Sequence, residues 1–134
     1  MRVLVVSPVH DPRDARVTEK LIGLGANPDD YEIHNSAQSP LVDKMVDRLY
    51  NRLQRRGYLR RDIQRMVNRD RNIFGALLLQ MDQADAMITG VTRTFSQTLG
   101  ELRRVLDPKK DAVPFGIHVM VGKTHTTFIA DTTV

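Results

Sequence analysis

Cysteine is absent from all 134 residues, which rules out disulfides and thiolate nucleophiles and fits a reducing compartment. Nor does any apolar run approach the roughly 20 residues that cross a bilayer. The stretch before Pro8 is too short for the roughly 7–15 apolar residues of a secretory signal, so it reads as a strand. The expected location is the cytoplasm, and no membrane partner is expected.

Several chemical signatures are missing as well. The four histidines (His10, His34, His118, His125) are scattered without metal-ligand spacing, so no metal site is expected. His10 is the most interesting, because it follows the first strand, and ligands collect beyond strand carboxyl ends in open α/β sheets. Gly122-Lys123-Thr124 resembles the tail of a phosphate-binding loop, but Ile117 stands where that motif needs its first glycine and a strand follows instead of a helix. It is expected to be a hairpin turn. Gly23-Leu24-Gly25 ends a helix and lacks the third glycine of a dinucleotide fingerprint. No catalytic residue can be picked out by spacing, since such constellations assemble in space.

Charge is present but uneven. Residues 41–71 hold Lys44 and nine arginines against four aspartates, a local +6 within a chain of net +4, so the remainder is about −2. Lys44, Arg48, Arg52 and Arg56 repeat every four residues, which stacks like charges along one helix face at a cost of a few tenths of a kcal/mol per pair. Water, a carboxylate-rich surface or a bound anion could each offset this. Nucleic acid is the disfavoured partner, because Tyr50 and Tyr58 are the only nearby aromatics and no nucleic-acid-binding motif accompanies the arginines.

The hydrophobic pattern predicts strands at 2–7 and 31–34 and a helix from about 11 to 24. Further helices are expected from Ser39-Pro40 to Gly57, over 59–67, over 70–82 and from Phe95 to Leu106. A core strand is expected over 84–89, and a hairpin from 113–121 and 125–130 around Gly122. Strands alternating with helices imply an α/β sheet.

The strongest local signal is residues 85–93, DAMITGVTR. A strand expected to end at Thr89 leads into Gly90, which lets backbone approach a ligand. Thr92 and Thr94 offer hydroxyls to the helix that follows. The positive end of that helix, with Arg93, suits a phosphate or carboxylate. An ordinary strand-to-helix turn would look the same.

Residues 48–93 (RLYNRLQRRGYLRRDIQRMVNRDRNIFGALLLQMDQADAMITGVTR), followed by TLGELRRVLDPK and FGIHVMV…TTFIADTTV, resemble the phosphotransacetylase-type domain of bacterial NADP-dependent malic enzymes. The resemblance covers nearly the whole chain and is weakest before residue 31. GVTR and DPK favour the malic-enzyme branch over free-standing phosphate acetyltransferases. The resemblance implies a three-layer parallel-type sheet with helices on both faces, residues 1–108 forming part of a first lobe. Residues 109–134 would be a hairpin opening a second lobe. It also implies a regulatory and oligomerisation role without catalytic residues, an acetyl-CoA effector, and homo-oligomers docked to a catalytic domain that alone uses NADP and a divalent metal. Ligand contacts would come from Thr89, Gly90, Thr92, Arg93, Arg55 and Arg56. The alternative is a fragment of a phosphate acetyltransferase, which moves acetyl groups between phosphate and coenzyme A. Two departures oppose it: Gly100 stands where those enzymes carry an arginine in an LLRPALQ pattern, and Leu53 stands where they carry one before a lysine-glycine, unless a one-residue shift brings in Arg52. Their other active-site residues come later than residue 134. The hairpin's apolar residues are expected to be covered by another subunit.

Overall fold

The computed structural model describes residues 3–7, 13–36, 38–90, 93–113 and 115–130. Strand β1 (Val3–Ser7) pairs in parallel with β2 (Tyr31–Asn35), in a register that sets Val3 beside Tyr31 and Ser7 beside Asn35. Helix α1 (Arg13–Gly23) connects them, as a parallel pair requires. The predicted start of that helix, Asp11-Pro12, lies outside the described residues, as does His10.

Helix α2 (Val42–Leu53) lies within the predicted span and buries Met45, Val46, Leu49 and Leu53 along one face. It tightens into a 3-10 turn, Gln54–Arg56, and stops at Gly57, whose φ of 86° lies in the left-handed region that favours glycine. Helix α3 (Arg60–Arg69) turns Ile63 and Val67 inward. Asp70 then breaks the helical path and caps α4 (Arg71–Gln80), its Oδ1 accepting from the backbone N–H of Asn72 at 2.9 Å and of Ile73 at 3.3 Å. All of α4 from Asn72 to Leu78 is buried, so this short helix is the hub of the core. It lies against β1, α3 and α5 (Phe95–Val105), and α2 packs on α3 and α5. Burying a leucine, isoleucine or phenylalanine stabilises by roughly 1.5–3 kcal/mol each, and Phe74, Ile73, Leu77, Leu49 and Leu53 are all enclosed here.

Arg52 fastens α2 to the far end of α5. Its Nε donates to the Arg104 carbonyl at 2.9 Å, and Nη1 and Nη2 meet the two oxygens of Asp107 at 2.5 Å each. This fork holds the Asp107 carboxyl below the usual carboxylate range, with the field of Arg56 adding to it. Strands β3 (Ile117–Val121) and β4 (Thr126–Ala130) form the predicted antiparallel hairpin, slightly shorter than expected. At its turn the Gly122 N–H donates to the His125 carbonyl at 2.9 Å, so Gly122-Lys123-Thr124 is a turn and not a phosphate loop.

One predicted element is overturned. Residues 84–89 form no strand; they run irregularly and pair with no strand among the described residues. Ile88, expected in the core, is fully exposed. A strand needs a neighbour to take its N–H and C=O groups, whereas the contacts of this segment go to helix α4. The sheet containing β1 accordingly has two strands among the described residues, fewer than the extended parallel sheet expected.

Candidate functional site

The segment after α4 doubles back over it. Met87 settles against Gly75, where an added Cβ would sit 3.2 Å from the Met87 sulfur and methyl group. That close approach carries Thr89 to the buried start of α4. There the Thr89 hydroxyl donates to Asn72 Oδ1 at 2.5 Å, and Asn72 Nδ2 donates to Glu101 Oε2 at 2.6 Å. The other Glu101 oxygen pairs with Arg93 Nη1, which also donates to Asp70 Oδ2 at 2.9 Å. Since Asp70 Oδ1 takes the backbone N–H of Asn72, Asp70, Asn72, Glu101 and Arg93 close a ring of four residues, to which Thr89 is tied through Asn72. With Thr89, the ring joins the cap of α4, the body of α5 and both sides of the glycine turn.

Asn72 is 6% exposed, and a buried amide of this kind must find partners. It finds one for its oxygen and one for its nitrogen. The ring carries one guanidinium against two carboxylates, a formal charge of −1. The hydrogen bonds that Arg93 donates, first to Glu101 and then to Asp70, push its pKa above the ordinary value. Arg93, expected to face a ligand with its full charge, is thus engaged through Nη1 by two acids of its own chain.

Gly90 has a φ of 146° and nothing within 4 Å of where a Cβ would stand. Its backbone is open on one side and takes a conformation that other residues avoid. Thr94 caps α5, its hydroxyl accepting from the Gln97 N–H at 3.3 Å. Thr92 lies outside the described residues. The other two expected contacts, Arg55 and Arg56, are exposed in the 3-10 turn after α2. The Arg52–Asp107 fork and the pull of Arg56 on Asp107 place that turn beside the C-terminal end of α5, whereas Thr89 and Arg93 lie at its N-terminal end. An 11-residue helix is about 16 Å long, so the two groups are not brought together.

Sequence reasoning missed Asp70, Asn72 and Glu101. The first two had a signal, an Asp-x-Asn start to an apolar helix, but Glu101 lies 29 residues from Asn72 and only the packing of α5 on α4 joins them. Gly100, on the exposed side of α5, has open space where a Cβ would be, so no steric reason excludes a larger side chain. Among the described residues no three His, Cys, Asp or Glu side chains gather as metal ligands, and no helix is long and apolar enough to cross a membrane.

Comparison with known proteins gives the family. Residues 3–134 match the family model described as phosphate acetyl/butaryl transferase. The chain is 40% identical over 119 residues to the NADP-dependent malic enzyme of Rhizobium meliloti (strain 1021), covering 89% of this chain and 16% of that protein. It is 37% identical over 115 residues to the probable NADP-dependent malic enzyme of Rickettsia prowazekii (strain Madrid E), covering 86% of this chain and 15% of that one. The chain therefore spans about one-sixth of the length of these relatives. The EutD phosphotransacetylase from Staphylococcus aureus superposes with a TM-score of 0.75 at 19% identity, over 99% of this chain and 38% of that one, a likeness of fold. The chain belongs to the phosphate acetyl/butaryl transferase family, as a segment of the kind found in bacterial NADP-dependent malic enzymes.

Proposed function

We propose that this chain is a non-catalytic regulatory and assembly segment of a malic enzyme, that its effector is of the acetyl-CoA type, and that it works as a homo-oligomer. The parent would carry out oxidative decarboxylation of malate, with NADP and a divalent metal held in a separate catalytic domain. In the whole protein the fold would be a three-layer parallel-type sheet with helices on both faces, residues 1–108 belonging to a first lobe and 109–134 opening a second.

The observation that carries the non-catalytic reading is the state of α5. Acetyl transfer between two anionic partners calls for cations aimed at the reacting groups. The resemblance expects an arginine at position 100; glycine stands there on an open surface, and Arg93 is already held by Glu101 and Asp70. What remains suits recognition. Gly90 and Thr92 offer backbone and hydroxyl contacts, Thr89 and Arg93 hold the turn in shape, and Arg55 and Arg56 supply charge at the far end of α5. An extended ligand with phosphates at one end and a small acyl group at the other can span two such regions.

The test uses the full-length parent enzyme. Acetyl-CoA titrated by calorimetry is expected to bind, with roughly tenfold weaker affinity in Arg55→Gln/Arg56→Gln, the loss of about one charge-assisted contact. No acetyl phosphate is expected from acetyl-CoA and phosphate. Turnover in that assay would establish the acetyltransferase reading instead, and unchanged affinity in the double variant would remove both arginines from the site.

A further inference from the structure

We infer that the outer surface of helices α2, α3 and α5 is a docking face for a carboxylate-rich protein surface, a role independent of effector binding. The three helices turn Met45 and Leu49, Ile63 and Val67, and Val105 toward the core. At about 100° per residue, the opposite sides of these helices carry their basic residues. On α2 the charges are segregated by flank. Asp43 and Asp47 lie toward α3, where Asp47 pairs with Arg60 at 2.5 Å, while Lys44 and Arg48 lie toward α5, in line with Arg52. On α3, Arg61, Arg65 and Arg69 stack one turn apart, and Asp62 is 4.0 Å from Arg61. Exposed Arg103 and Arg104 continue the face on α5.

The nearby acids neutralise only part of these rows. Asp47 is held by Arg60, Asp107 meets Arg52 at the end of the α2 row, and Asp62 stands beside Arg61. Among the described residues, Lys44, Arg48, Arg65, Arg69, Arg103 and Arg104 have no acidic partner. Like charges one turn apart disfavour a helix, and an opposing row of carboxylates would reverse that.

A protein surface fits better than nucleic acid. Tyr50 and Tyr58, the aromatics beside the rows, are partly buried against the core and so present less ring face for stacking on bases. The rows repeat at about 6 Å, the interval at which a facing helix presents acids four residues apart. The malic enzymes that most of this chain matches are about six times its length, which leaves most of such a protein to supply the opposing surface.

The test uses the 134-residue chain and three fluorescent probes of equal charge at low salt: a helical peptide with glutamates four residues apart, a scrambled version, and duplex DNA. The ordered peptide is expected to bind at least tenfold tighter than either of the others. R48E/R61E/R65E should lose at least tenfold, and the milder R48Q/R65Q severalfold. K20E/K110E/K123E, with the same charge change on other elements, should stay within twofold. Helicity by circular dichroism should be unchanged in all. Tighter binding of the duplex, equal loss in both triple variants, or no binding of the ordered peptide would overturn the inference.

Discussion

Arg93 stands between Asp70 and Glu101, and the side chains of the three are 30%, 20% and 12% exposed. Removing the guanidinium leaves two half-enclosed carboxylates facing each other and releases the glycine turn from α5. Arg93→Ala is expected to lower stability by about 1–3 kcal/mol in denaturant unfolding. Arg93→Lys should recover part of this, because one nitrogen, Nη1, meets both acids and an ammonium can offer them two donors, though from a stem shorter than arginine's. An Ala variant as stable as the parent would show that the ring holds nothing in place. Asp107 gives a prediction in pH. Its folded-state pKa is depressed, first by the hydrogen bonds from Arg52. Its contribution is therefore complete above the unfolded value of about 3.9 and is lost as pH falls through the lower folded value. Asp107→Asn should melt below the wild type at pH 7, and the gap should close as the solution is acidified below about pH 4. A gap that widened in acid would contradict the fork.

At the scale of elements, the glycines on either side of the α5 N-terminus should respond in opposite directions. Gly100→Ala meets open space inside a helix and should raise stability by about 0.5–1 kcal/mol through helix propensity. Gly90→Ala must hold a φ of 146° and should lower it by about 1–3 kcal/mol. Thermal melts of the two variants check both signs. The same contrast explains what was legible beforehand. Helices α2 and α4 and the stop at Gly57 could be read because apolar spacing and capping are local properties of the chain. The hairpin could be read because two apolar runs flank a glycine turn. The stretch 84–89 was misread because strand propensity cannot tell whether a partner strand exists, and here the segment is held by Gly75 and Asn72 instead. The site was legible only in part. Gly90 announced a special backbone, but the partners of Arg93 could not be inferred until α4 and α5 were packed together.

For the whole molecule, the hairpin stands out among the described elements because every residue of its two strands is exposed. Residues directly opposite in an antiparallel pair share a face, so the register Ile117–Ala130, Val119–Phe128 and Val121–Thr126 makes one side almost wholly apolar. His118, Met120, Thr127 and Ile129 form the other. Phe128 is 69% exposed and Val121 79%, although β-branched and aromatic side chains are the ones water most disfavours. Among the described residues no third strand pairs with the hairpin, and a contiguous apolar face with such edges marks an interaction surface. Self-association through this face predicts a sedimentation coefficient that rises with protein concentration. Phe128→Glu should abolish that rise, because it sets a charge in the middle of the apolar side. Met120→Glu, one position along in the register and on the opposite side, should leave most of it. If both variants dissociated the assembly equally, the strand edges rather than the apolar face would be the contact. A wild-type chain that sedimented as a monomer at every concentration would remove the hairpin from assembly altogether.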